Sequence, residues 1–308
     1  MKTLVAPQTR RLSTAGLALG AAIAALASAG SASAGSQFDL GLQDRDVARM
    51  VSLGGSCNRC ELSGRDLTGA AFIGAVFTNA ALVGADLRGA ELQGSNFTGS
   101  DFSRADLSGA EMVGANFTGA NFTDADLSGV EAMGATMVRV RMTSANLSGA
   151  ELTGANMNGA VLTNANLSAA ELNATTLANV SARAANLSNA DISMSNLSNG
   201  DFRSASFRSA ELNGARLTGG NFAGADFRGA ELNRADIRGA DLSGANGLTQ
   251  EQISRTCGDA STRLPSRLTV RICRGVSMVR ITPRAPPAPP APPVPPRVRN
   301  LAIASSGH

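Results

Sequence analysis

The sequence has no tryptophan, no tyrosine and one histidine, the terminal His308. An ordinary globular core leans on large aromatic side chains. With aromatics at 4% of 308 residues, this chain needs a core that is thin and repetitive. The lone terminal histidine excludes Ser-His-Asp and Cys-His catalysis and any metal site built from histidines. Long apolar runs are also scarce. The one that approaches membrane-span length, residues 12–30, is rich in Ala and Gly, follows Lys2, Arg10 and Arg11, and leads to Ala32-Ser33-Ala34. That order reads as a signal peptide cleaved after Ala34 rather than an anchor. The mature chain is therefore expected in the periplasm or secreted, with no integral membrane segment.

Charge is divided rather than absent. The formal net charge is +3, but residues 60–246 carry 19 acids against 12 arginines, and residues 247–308 carry nine arginines against Glu251 and Asp259. An acidic body thus precedes a basic tail. Such a tail can bind anionic surfaces; a solubilising tail is the simpler reading. Within it, residues 286–296 form Pro-Pro pairs spaced by Ala or Val. They suggest a polyproline II spacer or a ligand for a groove-binding domain.

What the chain has in abundance is a five-residue repeat. Stepping by five from Leu62 to Leu242 gives 37 centres, of which 35 are Leu, Phe, Ile or Met. Two residues before each centre stands a small residue in 33 of the 37 units, and ten of the eleven phenylalanines are centres. Ala85-Asp86-Leu87-Arg88-Gly89 and Ala145-Asn146-Leu147-Ser148-Gly149 are typical. A period of five fits neither a helix nor a strand. It fits a chain that turns a corner every five residues, four corners closing a square coil of 20. The small and the large apolar residue then point inward, the other three outward, and stacked coils bury a core that one coil could not. At ~4.8 Å per coil the stack is about 45 Å long.

This pattern resembles the pentapeptide repeat family, A(D/N)LXX, over residues 60–246. The resemblance implies an all-β fold, a right-handed quadrilateral β-helix. Residues 247–253 look like that family's exit into a short capping helix. The expected organisation is a signal peptide (1–34), an N-terminal cap segment (35–59), the β-helix (60–246), a C-terminal cap (247–275) and a Pro-rich basic tail (276–308). At Ala132 and Ala182 the centre is small, and its partner, Val130 or Val180, is large, which keeps core volume roughly constant. Val140 with Met142 has no such compensation and predicts a local bulge.

A longer period overlies the short one. Glu91, Glu111, Glu131, Glu151, Glu171, Asp191, Glu211 and Glu231 are spaced by 20 and should stack on one face. Neighbouring charges ~4.8 Å apart in water repel by about 0.9 kcal/mol, which is tolerable without an ion. Arg88, Arg208 and Arg228 stand three residues before Glu91, Glu211 and Glu231, where they could offset part of it. The stripe reads as a site for divalent cations or a basic partner, or more simply as a solvated face. The four cysteines of an exported chain suggest two disulfides, Cys57 with Cys60 and Cys257 with Cys273, stapling the ends of the stack, where open strand edges invite aggregation.

No general base stands near a nucleophile, so no enzyme, no cofactor and no metal are expected. The reading is a structural or protein-interaction rod of the cell envelope. Its partner would be an envelope protein or polymer, not nucleic acid, and a homodimer is compatible with it. The alternative is a DNA-mimic inhibitor or protector of a topoisomerase such as gyrase, as the family resemblance implies for some members. Export argues against that alternative, because the target is cytoplasmic.

Overall fold

Five residues turn one corner of the backbone, as Ala85-Asp86-Leu87-Arg88-Gly89 shows. A computed structural model describes residues 56–273; the expected signal segment 1–34, residues 35–55 of the expected N-terminal cap and everything beyond 273, including the Pro-rich tail, lie outside the described residues. In this unit the Leu87 carbonyl accepts the Ala90 N–H at 3.0 Å, closing a turn over Arg88 and Gly89. Gly89 has φ +60°, the sign that a type II turn requires at its third position. The other N–H groups run along the stack. Leu87 donates to Asp106 O at 2.6 Å and Gly89 to Ser108 O at 3.1 Å in the next coil, while Asp86 donates to Arg65 O at 2.9 Å in the previous one. The fifth N–H, that of Arg88, donates to Asp86 Oδ1 at 3.3 Å. The same closure recurs from Ser108 to Asp106 and from Thr118 to Asn116, both at 3.0 Å. Every N–H of the unit thereby has a partner. The Asp or Asn of the motif is thus part of the turn, not simply one of three solvent-facing residues.

Parallel bridges join residue i to residue i+20 without interruption from Ser56↔Val76 to Asp226↔Asn246. With five residues per side, each coil has four sides. We number the faces by their bridging residues: face I holds Glu61 to Asp241, face II Asp66 to Asn246, face III Ala71 to Glu231, and face IV Ser56 to Asp236. The regular bridging starts at Ser56, four residues earlier than the repeat motif suggests, because Cys57 occupies a centre position and donates to Val76 O at 2.7 Å. Cys57 and Cys60 are disulfide-bonded with Cα atoms 5.7 Å apart.

The core is a set of vertical ladders. Phe77, Phe97 and Phe117 stack with ring centroids 5.5 and 5.7 Å apart, Phe102 on Phe122 at 4.8 Å, Phe202 on Phe222 at 5.1 Å and Phe207 on Phe227 at 5.0 Å. Adjacent ladders meet edge to face, as Phe97 does with Phe102. Small residues fit beside them for a steric reason: a Cβ on Gly220 would lie 2.7 Å from the ring of Phe222. Ser95 and Ser100, buried at small positions, donate to the Leu92 and Phe77 carbonyls, both at 2.6 Å, so no buried hydroxyl there is orphaned.

The bulge expected at Val140 and Met142 does not form. Arg141, between them, bridges Asn121 and Val161 in the regular register, and both side chains are buried. The turn yields instead: the Val140 N–H lies 3.5 Å from Met137 O and the Val130 N–H 3.4 Å from Leu127 O, against 2.9 Å at Ala110. Unbranched methionines at 137 and 142 adapt to the remaining space.

After Asn246 the chain crosses the last coil. Helix α1, Gln250–Ser254, starts with a capping box between Thr249 and Gln252 and buries Ile253. Gln252 Nε2 donates to Ala230 O at 2.7 Å, and the N–H groups of Arg234, Ile237 and Leu242 find Arg255, Cys257 and Arg263 carbonyls at 2.8, 2.7 and 2.8 Å. The open strand edge at this end is thereby paired. A disulfide between Cys257 and Cys273, Cα atoms 5.3 Å apart, ties the segment down.

Two tests follow from the corner geometry. Leu147 is fully buried, so Leu147→Asp should cost several kcal/mol. Asn158→Asp keeps the oxygen that accepts the Asn179 amide at 2.9 Å and should change stability by no more than about 0.5 kcal/mol. Thermal melts that fall equally would overturn the inward and outward assignment. Ala174 holds φ +54°, and Gly154 holds φ +70° with open space around an added Cβ. Gly154→Ala should therefore destabilise by about 1 kcal/mol, and Ala174→Gly should stabilise by less than that, since glycine loses more backbone entropy. Urea midpoints read both.

Candidate functional site

On faces I, II and IV the acids serve the fold. Arg88 pairs with Asp86 at 2.6 Å and approaches Asp106 at 3.8 Å; Arg208 and Arg228 hold Asp226 at 2.8 and 2.5 Å; Arg183 and Arg203 hold Asp201 at 2.6 and 2.9 Å; Arg238 holds Asp236 at 2.5 Å. The hydrogen bond from Arg228 holds the Asp226 carboxyl down at about 2. Asp201, bonded by Arg203 and Arg183, is held well below the usual carboxylate range. Each of these aspartates also accepts the N–H of the turn beside it: Arg228 on Asp226 at 3.1 Å, Arg203 on Asp201 at 3.3 Å.

Face III differs. Its bridges run Glu91↔Glu111↔Glu131↔Glu151↔Glu171↔Asp191↔Glu211↔Glu231, so the eight acids of the sequence ladder form one column. Six are exposed; Glu151 and Asp191 are half-buried. A glutamate can fold back onto its turn, as Glu61 on face I does to the Ser63 N–H at 3.1 Å. On face III, among the described residues, only Asp191 does so, to Ser193 at 3.0 Å. Side-chain amides of the preceding coil reach three of the column: Gln93 to Glu111, Asn173 to Asp191 at 2.8 Å and Asn213 to Glu231 at 3.0 Å.

Among the described residues no arginine forms an ion pair with any of the eight. The offset expected from Arg88, Arg208 and Arg228 is not made, because all three pair with Asp86, Asp106 or Asp226 on face II. The fourth residue of a unit lies beside the second residue of its own face, whereas the glutamate three residues on lies past the corner.

A short apolar patch, interrupted by Gln93, lies beside the acids at the N-terminal end of the face, which the sequence reading missed. Ile73, Val113 and Met133 are spaced by 20 or a multiple of it and are 57%, 36% and 42% exposed. Met194, farther along the face, is 73% exposed. Four of the six exposed large hydrophobics among the described residues thus belong to face III. The shared offset of Ile73, Val113 and Met133, one residue after the centre, was the available signal. Toward the end of the face, a cleft opens over Gly214, between Met194 and Arg234. Below it, Asn233 donates to Asn213 at 2.8 Å, and Arg255 holds both Asn233 at 3.3 Å and Glu251 at 2.7 Å.

The family model for pentapeptide repeats matches eight copies, over residues 56–94, 100–137, 141–179, 185–223 and 210–246. The chain belongs to the pentapeptide repeat family. Among solved structures it is similar to HetL, a pentapeptide repeat protein involved in heterocyst differentiation regulation from the cyanobacterium Nostoc sp. strain PCC 7120. That match has 30% identity and a TM-score of 0.52, and covers 67% of this chain and 90% of HetL. It also matches QnrB1, a plasmid-mediated fluoroquinolone resistance protein, at 20% identity and TM-score 0.34 over 67% of this chain and 94% of that one. A pentapeptide repeat protein from the Arabidopsis thaliana thylakoid lumen matches at 30% identity and TM-score 0.21, covering 39% of this chain and 73% of that one. No curated protein matches.

The pairing on face II gives the stack an acid sensitivity. Asp226 ionises at about 2 when folded, below the ordinary ~3.9. Its contribution to stability is therefore full above pH ~4 and is lost as pH falls through about 2. Asp226→Asn keeps the oxygen that closes the turn and removes the charge. The variant should be less stable than the parent at neutral pH, and the gap should narrow between pH ~4 and ~2 in urea titrations. A gap independent of pH would refute the pairing.

Proposed function

We propose that this protein is an exported, non-enzymatic interaction scaffold of the cell envelope, and that face III is the surface it presents. The observation that carries the reading is the division of labour among carboxylates. Aspartates on the other faces close turns, and Asp86, Asp201, Asp226, Asp236 and Asp241 also pair with arginines, whereas the face III column has no ion-pair partner among the described residues, mostly leaves its turn N–H groups alone, and at its N-terminal end lies beside exposed Ile73, Val113 and Met133. An acidic column with an apolar patch at one end suits a partner that is basic and partly apolar. The body offers no arrangement of nucleophile and base; its Ser, Thr and Asp residues recur as repeat positions with local hydrogen bonds. Export rests on the basic start, the small apolar run and Ala32-Ser33-Ala34.

Mass spectrometry of the purified native protein tests export. The expected mature N-terminus is Gly35, in a periplasmic or culture-medium fraction. An intact Met1 on a cytosolic protein would overturn the envelope reading and favour the topoisomerase-directed alternative.

A further inference from the structure

We propose that the cleft over Gly214, toward the C-terminal end of face III, is a site for a peptide C-terminus. Its α-carboxylate lies on Arg234 and Arg255, the basic side chain of its last residue points toward Glu231 and Glu251, and the apolar residue before it rests on Met194. The inference rests on the reading of face III as a recognition surface and names the group that the surface takes. Arg234 is the one cation of face III among the described residues, on a face that carries eight carboxylates. It is exposed and forms no ion pair among the described residues. Its turn position holds glycine in every coil of this face from Gly74 to Gly154, and then Ala174. Met194 and Arg234 break that pattern, both at φ +60°, where a side chain costs stability that glycine avoids. Gly214 stands between them and the Met194 thioether lies over it: a Cβ added to Gly214 would come within 2.6 Å of Sδ.

The cleft has a volume of about 650 Å³, in the range of small-ligand pockets. Met194 and Arg234 are two coil steps apart along it, ~9.6 Å at ~4.8 Å each. Ser193, Asn213, Asn233 and Arg255 complete the lining, which includes no carboxylate. Arg255 lies in the layer after Arg234, its carbonyl accepting the Arg234 N–H at 2.8 Å, so two arginines border one end. The nearest acids of the column are held by other donors: Glu231 accepts Asn213 at 3.0 Å and Asp191 accepts Asn173 at 2.8 Å. Paired guanidinium groups are the donors that suit a carboxylate. A second depression of about 210 Å³ adjoins the first, shares Asn233 and Arg255 with it, and is bordered by Glu231 and Glu251. One lobe is thus basic, its neighbour acidic, and a flexible apolar side chain closes the far end. A ligand that matches all three carries a carboxylate, a cation and an apolar group within a short span. A peptide that ends in a basic residue preceded by an apolar one has them in that order.

Isothermal titration of the full-length, oxidised protein with acetyl-Ala-Leu-Lys at low ionic strength tests the proposal. The free acid should bind at least about tenfold more tightly than the C-terminal amide, and Arg234→Gln should bring the two within about twofold. Arg104→Gln removes the same charge from the same turn position on face I and should keep the preference. Replacing the terminal lysine by norleucine should weaken the free acid by about fivefold or more. Equal affinities of acid and amide in the parent would overturn the carboxylate site. Loss of the preference in Arg104→Gln would also overturn it, by making the effect one of bulk charge. Unchanged affinity of the norleucine peptide would overturn the role given to Glu231 and Glu251. No binding of the free acid at millimolar concentration would overturn the site as a whole. Equal binding of acid and amide that falls in Glu131→Gln/Glu151→Gln would overturn the cleft while keeping face III as a recognition surface, so the two failures are distinguishable.

Discussion

The structure depends on satisfying five backbone N–H groups in every five residues of a chain that never makes a continuous strand. Three go to neighbouring coils and one closes the turn, as in the unit around Leu87. The last is taken by the side chain two residues earlier, Asp86 for Arg88 and Asn116 for Thr118. A short acceptor at that position completes the turn where it is present, much as an N-cap residue does for a helix. The left-handed residue at the end of each turn is a local requirement. Glycine meets it most often, and Asn79, Asn164 and Asn189 meet it at φ 55 to 59°.

Once the acids of faces I, II and IV are understood as turn and ion-pair residues, those of face III stand apart chemically. They share the same backbone position and register, yet most leave their turn N–H alone and are exposed, with an apolar patch beside them at the N-terminal end of the face. Like charges repeated along a stack work against stability, and no feature of the corner calls for them. This contrast is what supports the proposed role of face III as a surface for binding. HetL shares the family at 30% identity over 67% of this chain, so the coil scaffold is common to the two.

The ends follow a second constraint, that a stack of coils exposes backbone at its termini. At the C-terminal end α1 and the residues after it supply carbonyls to the last coil, and the Cys257–Cys273 disulfide holds them there.

The period of five, the inward pair, the four-sided coil and the single acidic column were legible in the sequence, because a repeat without insertions leaves each residue only one face to occupy. Leu87 or Glu131 needs no tertiary information to be placed. The sequence could not rank the outward residues, since spacing alone treats Asp86 and Glu91 as equivalent. Which carboxylate closes a turn, and which arginine crosses to which acid, depends on side-chain length and on distances across a corner. For that reason Arg88 could be read as an offset for Glu91 when it belongs to Asp86. The compact packing at Val140 and Met142 likewise belonged to the tertiary structure, because a turn hydrogen bond can lengthen by a few tenths of an ångström where a rigid count of volumes predicts a bulge.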